Sequence, residues 1–219
     1  GSNLAAHYIK KGDNVIVFDN LSRPSSKGNL SWLKTVGGFT FLKGDIRKTK
    51  DLDAAFRGRK IDMVFHEAAQ VAVTTSVINP REDFEVNALG TFNVLEAIRQ
   101  NSPKAILIYS STNKVYGGLE DIKVVEKASR YEFGEAKYKN GISESRNIDF
   151  HSPYGCSKGS ADQYIRDNSR IYNLKTVVFR QSCIYGYRQI GLEDQGWLAW
   201  FSIRSIQNKK VTVYGDGKQ

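Results

Sequence analysis

Short apolar runs recur along this 219-residue chain, each set between stretches of helical periodicity. They are Val15-Ile16-Val17-Phe18-Asp19, Phe39-Thr40-Phe41-Leu42, Met63-Val64-Phe65-His66, Ala105-Ile106-Leu107-Ile108-Tyr109 and Lys175-Thr176-Val177-Val178-Phe179-Arg180. Runs this short, with little alternation, are what strands covered on both faces look like. Residues 3–11, 30–36, 51–57, 81–101, 154–171 and 197–206 carry the helical pattern, and Val211-Thr212-Val213 reads as one more short strand. Strands alternating with helices predict an α/β fold on a doubly wound parallel sheet. Such sheets bind ligands outside the carboxyl ends of their strands, so function is to be sought just after each run.

Composition narrows the classes. The apolar content of 40% is ordinary for a soluble globular chain. The formal charge of +9 suits an anionic ligand. Lys and Arg are nevertheless dispersed among Asp and Glu, the pattern of a solvated surface, so no nucleic-acid partner is expected. No apolar run is long enough to span a bilayer and no signal peptide opens the chain, so a cytoplasmic location without membrane contact is expected. Cys156 and Cys183 lack C-x-x-C spacing. They predict buried thiols in a reducing compartment, with neither a disulfide framework nor a metal site.

Ser152-Pro153-Tyr154-Gly155-Cys156-Ser157-Lys158 carries the chemistry. Ser152 suits a helix N-cap and Pro153 the first helical position. Tyr154 and Lys158 then share one helix face, four residues apart. A free phenol titrates near about 10. A lysine ammonium and the positive end of the helix dipole both favour the phenolate. Such a tyrosine can take a proton from a sugar hydroxyl while a cofactor takes the hydride. A plain amphipathic helix can carry the same pair, so the strand ends must supply the rest. Asp19 closes its run either as a ribose-binding acid or as a turn residue. Glu67-Ala68-Ala69-Gln70 offers two small residues for close ligand approach, and His66 reads as a satisfied core histidine. Ser110-Ser111-Thr112 follows the fourth run. Residues 117–149 are polar and too long for an idle connection, which predicts local structure that shapes a site. In a dinucleotide-binding unit a first strand and a Gly-rich turn precede the first helix. Here Gly1-Ser2 runs directly into that helix, so both are expected to be missing.

Together these residues resemble the extended short-chain dehydrogenase/reductase family, and within it the nucleotide-sugar epimerases. The matching pieces are Asp19-Asn20-Leu21-Ser22-Arg23, Gly44-Asp45-Ile46-Arg47, His66-Glu67-Ala68-Ala69, Ser110-Ser111-Thr112 with Val115-Tyr116-Gly117, and Tyr154 with Lys158. The resemblance runs over nearly the whole chain and is weakest at 118–140. It implies that Tyr154 is the acid/base and that Lys158 lowers its pKa and binds the nicotinamide ribose. Thr112 would bond the reacting hydroxyl. Asp19, Asn20, Ser22 and Arg23 would hold the adenosine ribose, with Asp45 and Ile46 beside adenine. Ala68, Ala69 and Gln70 would line the cofactor, and Asn87 and Ser110 would complete its pocket. Asn113, Gln181, Ser182, Gln195 and Trp197 are the substrate-side candidates.

The implied cofactor is NAD rather than NADP, because Asp19 would repel a 2′-phosphate. The implied organisation is a dinucleotide-binding domain over 1–180 and the start of a substrate-binding region over 181–219, truncated at both ends. Sugar 4,6-dehydratases of the family carry Asp-Glu after the threonine, whereas Asn113-Lys114 stand here, so oxidation and re-reduction is expected instead of elimination. The expected reaction is inversion at C2 of a CDP-linked 3,6-dideoxyhexose. The alternatives are a UDP-sugar 4-epimerase and a catalytically inert nucleotide-binding fragment. The resemblance also implies a homo-oligomer, a dimer or tetramer, built on the helices at 81–101 and 154–171.

Overall fold

The computed structural model describes residues 1–193 and 195–218; Gln219 and Asp194, of the Asp194-Gln195-Gly196-Trp197 stretch, lie outside the described residues. Helix α1 (Ser2–Lys11) ends at Gly12, whose φ of 85° lies in the left-handed region that glycine adopts without strain. β1 (Ile16–Asp19), α2 (Ser26–Val36), β2 (Thr40–Lys43), α3 (Thr49–Phe56) and β3 (Met63–His66) follow. Next come α4 (Val73–Ile78), α5 (Pro80–Phe84), a π-helical turn over Glu85–Leu89, and α6 (Gly90–Asn101). β4 (Ile106–Thr112) passes through a tight helical turn, Asn113–Tyr116, into the short strands β5 (Val124–Glu126) and β6 (Tyr131–Phe133). The described chain closes with α7 (Ser152–Tyr172), β7 (Lys175–Gln181), α8 (Trp197–Ile206) and a polar tail.

β1 and β2 pair in parallel, and β3, β4 and β7 form a second parallel sheet in that order. Among the described residues no ladder joins the two sheets, yet they share one core. Phe18 and Leu42 pack on a cluster containing Ile46, Leu52, Phe56, Leu95, Leu107 and Ile165. Successive residues of a strand face opposite sides. On β3, Val64 joins this cluster while Phe65 meets the ring of Tyr8 on α1 at 5.2 Å. Different helices therefore cover the two faces, as a doubly wound sheet requires.

Three expectations need correction. The single helix expected over 81–101 is α5, the π turn and α6 in succession, preceded by α4, which the pattern did not announce. The strand expected at 211–213 is absent. Val213 is exposed and the stretch finds no ladder partner, and β propensity yields a strand only against a neighbouring edge. Both thiols are exposed rather than buried. Cys156 turns away from the stripe of α7 that buries Gly155, Lys158, Ala161, Asp162 and Ile165, and Cys183 lies where the chain leaves the sheet. The insert carries local structure as expected. β5 and β6 form an antiparallel hairpin, and a cavity of about 480 Å³ lies beside Asp121, Lys137, Tyr138 and Arg146.

Candidate active site

The start of α7 is fixed from several sides. The Ser152 hydroxyl accepts from the Gly155 N–H at 3.2 Å, the bond an N-cap makes, and Pro153 follows it. The helix as delimited begins at Ser152 itself, whose φ is 68°. The Tyr154 N–H donates to the buried Ser76 Oγ at 3.2 Å, which ties α7 to α4. A Cβ on Gly159 would lie 2.3 Å from the Phe150 ring, so only glycine lets the helix settle this closely.

This seat brings Tyr154 to the carboxyl end of β4, where it comes beside buried Thr112. Lys158, one turn further on, is also buried. Its ammonium donates to the Ser110 carbonyl at 2.6 Å and lies 4.2 Å from the Tyr109 ring centroid. The Ser110 hydroxyl donates to the Glu67 carboxylate at 2.9 Å, linking the ends of β3 and β4. Thr112, Tyr154, Lys158 and Ser110 thus converge as expected. Burial pulls Lys158 down to about 7, against the opposing charges of Glu67, Asp83 and Asp162.

The electrostatics of Tyr154 differ from expectation. Burial pushes its phenol above the ordinary 10.0, the neighbouring Thr112 hydroxyl pulls the other way, and the Asp83 charge adds to the rise. Lys158 does not lower it in this arrangement. The ammonium is spent on the Ser110 carbonyl and the Tyr109 face, and is itself weakened as a cation by burial. His66 behaves as the core histidine expected. Its Nε2 meets Thr91 Oγ1 at 2.8 Å, and burial, with Lys158 nearby, holds it down to about 3.

Behind these groups lies a buried polar network that sequence reasoning missed. Ser157 donates to Asp83 at 2.5 Å. Ser111 donates to Asp162 at 3.0 Å, and Arg180 clamps Asp162 at 2.9 and 3.0 Å while reaching the Tyr116 hydroxyl at 2.9 Å. The available signal was position: Ser157 and Asp162 share the stripe of Tyr154 and Lys158. Asn87 joins this network. Its side chain is buried, accepting from the Gln70 N–H at 2.9 Å and donating to the Gln70 carbonyl at 3.0 Å. It holds the loop after β3, and its place in the π turn aims it there.

The carboxyl ends of β1 and β2, in the two-stranded sheet, supply acids and turns. Asp19 Oδ1 accepts from the Leu21 N–H at 2.6 Å, the turn role, while Oδ2 makes no hydrogen bond among the described residues. Asn20 accepts from the Ser22 N–H at 3.0 Å and donates to Asp45 at 3.3 Å. Arg47 beside Asp45 holds that carboxyl down to about 2. Ile46 is buried under α6, and Ala68 and Ala69 follow β3 as an exposed and a half-buried small pair. The donor set fits a dinucleotide: Asp19 keeps an acceptor for a ribose diol, and Ala68-Ala69 leave the strand end uncrowded. Arg23, the residue that would favour a 2′-phosphate, gives its guanidinium to Gln195 Oε1 at 3.0 Å.

That bond places Gln195, a substrate-side candidate, beside Arg23. Gln181 stands opposite Thr112 in the β4–β7 register, and its Oε1 is buried without a hydrogen-bond partner among the described residues. Asn113 and Ser182 are exposed. Trp197 is also exposed and meets Phe201 edge-on at 5.9 Å. Arg188, which the sequence reading passed over, packs on Trp32 at 4.7 Å and donates to Asn29 at 3.0 Å, docking this segment on α2.

A parallel α/β sheet with Thr, Tyr and Lys at its strand ends defines a class, and comparison with known proteins agrees. The chain belongs to the NAD dependent epimerase/dehydratase family, whose model matches residues 1–219. It is 50% identical over 224 residues to a CDP-paratose 2-epimerase of Salmonella typhi, covering all of this chain and 66% of that protein. It is 32% identical over 219 residues to a putative UDP-glucose 4-epimerase of Methanocaldococcus jannaschii, covering all of this chain and 64% of that protein. Among solved structures, the UDP-glucose 4-epimerase of Thermotoga maritima with UDP-glucose superposes with a TM-score of 0.79 at 29% identity, covering 99% of this chain and 63% of that one. The Thermus thermophilus UDP-glucose 4-epimerase complex with NAD gives 0.78 at 31%, covering 98% and 62%. The chain thus spans just under two thirds of the length of these relatives.

Proposed function

We propose that this chain forms the dinucleotide-binding and catalytic part of an NAD-dependent nucleotide-sugar epimerase that inverts C2 of a CDP-linked 3,6-dideoxyhexose. The observation that carries the reading is that Tyr154 comes beside buried Thr112 at the end of β4, with buried Lys158 one turn away on α7. The choice of sugar rests on the 50% identity to a CDP-paratose 2-epimerase. The proposed division is a dinucleotide-binding domain over 1–180 with the beginning of a substrate region over 181–219.

When bound, NAD supplies the acceptor and donor of hydride. Tyr154, as its phenolate, takes the hydroxyl proton at C2 and later returns it as the phenol. Its raised pKa suits the returning step, in which it acts as an acid. Thr112 holds the same oxygen as it changes between hydroxyl and carbonyl. Lys158 orients the nicotinamide ribose, and Asp19 with Asn20 and Ser22 takes the adenosine ribose. Gln181 offers its unpartnered oxygen to a sugar hydroxyl. Each of these steps moves one proton at one oxygen, so no second carboxylate is needed. Exposed Asn113 and Lys114 stand where an eliminating enzyme of the family has Asp-Glu.

Oligomerisation belongs to the same reading. Phe84, Phe92, Tyr164 and Ile171 are exposed on α5, α6 and α7, and Phe92 meets Tyr164 at 5.7 Å. Two copies joined through this face give the homodimer we propose.

A UDP-sugar 4-epimerase is the second reading, favoured by the 32% identity to a putative UDP-glucose 4-epimerase. The experiment supplies CDP-tyvelose, CDP-paratose and UDP-glucose to the chain extended to the full length of its relatives, and identifies products by NMR. Inversion at C2 of a CDP sugar supports the first reading. Inversion at C4 of UDP-glucose, with neither CDP sugar converted, supports the second.

A further inference from the structure

Asp83 is a buried carboxylate with no part in the proton transfers above. It is 1% exposed at the end of α5, in a position where an apolar residue would cost nothing in desolvation. Both of its oxygens accept: Oδ2 from the Ser157 hydroxyl at 2.5 Å and Oδ1 from the Asn87 amide at 3.2 Å. Acceptance at both oxygens is what an ionised carboxylate offers. Ser157 sits between Tyr154 and Lys158 on α7, and its hydroxyl also approaches the Tyr154 carbonyl at 3.2 Å. Asn87 in turn holds the loop after β3.

Resting on the epimerase reading, we propose that Asp83 is a positioning residue for Tyr154 and Lys158. Through Ser157 its carboxylate seats the first two turns of α7 against α5 and the π turn, and its charge is shared by both side chains. Lys158 also faces Glu67 from the loop after β3, His66 on β3, Tyr109 on β4, and Tyr154 and Asp162 on its own helix. Of the three carboxylates acting on Lys158, only Asp83 also acts on Tyr154. It raises both groups. A lysine near 7 is only partly charged at neutral pH, so the Asp83 carboxylate favours its cationic form for the ribose, and it favours the protonated phenol from which Tyr154 acts as an acid.

The test is Asp83→Asn, which keeps an acceptor for Ser157 and removes the charge, with Asp83→Ser as the second variant. The readout is NMR titration of the present chain with 13C-labelled lysine and tyrosine. Lys158→Arg and Tyr154→Phe identify the two signals by their disappearance. In any folded Asp83 variant both Lys158 and Tyr154 are expected to titrate at lower pH than in the parent. In the parent, the same two signals should show a common inflection on the acid side as Asp83 takes up its proton. Unchanged titration of both groups in a folded variant, or no common inflection in the parent, overturns the proposal. These readouts need no turnover, so loss of the epimerase reading leaves them standing. A full-length enzyme that epimerises while Asp83→Asn moves neither signal would refute the positioning role alone.

Discussion

Arg180→Met isolates the ion pair that fastens α7 to β7. Asp162 has no exposed side-chain surface and Arg180 keeps 11%. The guanidinium engages both carboxylate oxygens, and methionine keeps an apolar stem against Tyr116 while deleting two charge-assisted bonds. Breaking a buried pair by removing one partner costs about 3–5 kcal/mol, because an uncompensated charge stays inside. Ser111 at 3.0 Å and Gln163 at 2.9 Å still donate to Asp162, which argues for the lower end, about 3 kcal/mol. In a chain of this size that lowers the melting temperature by about 6–12 °C. The assay is urea unfolding with the slope held common. The exposed Arg81–Glu85 pair serves as control, with Arg81→Ala costing about 0–1 kcal/mol. Replacing both partners, Asp162→Leu with Arg180→Met, should recover most of the loss. A cost for Arg180→Met no larger than the control, or a double variant as damaged as the single one, refutes the reasoning.

Stability should also depend on pH through two buried bases. His66 is held down from 6.5 to about 3 and Lys158 from 10.5 to about 7, so the unfolded chain binds the extra proton in both windows. Stability therefore falls as pH drops from 10.5 to 7, and again from 6.5 to 3. Urea unfolding across pH should show His66→Gln flattening the acid limb and Lys158→Met the alkaline limb, each by about one proton. In the full-length enzyme Tyr154→Phe should lower turnover by about 100-fold or more while a dissociation constant for NAD stays near the parent's, measured by calorimetry. Phe92→Glu should convert a dimer to a monomer by sedimentation, since it buries a charge in the proposed apolar face.

The strand and helix pattern was legible because buried parallel strands need unbroken apolar runs, as in residues 63–66 and 105–109. The shared face of Tyr154 and Lys158 was legible from their four-residue spacing, and the place of Thr112 at a strand end from the apolar run before it. What the sequence hid is tertiary. Nothing local announces that Asn87 sits in a π turn or that its amide pins Gln70. Asp83, Asp162 and Arg180 read as surface charges until packing brings them together. The expectation for the Tyr154 phenol failed for the same reason. Spacing placed Lys158 nearby, but burial and the Ser110 carbonyl decided where its charge acts.

The account's central claim is that one hydride leaves C2 and returns to it while Tyr154 moves only an oxygen-bound proton. The most direct measurement runs the full-length enzyme on CDP-paratose or CDP-tyvelose in deuterated water, with the product examined by NMR. The account predicts inverted product with protium retained at C2. Deuterium at C2 would show that the carbon lost its hydrogen as a proton, and would contradict it.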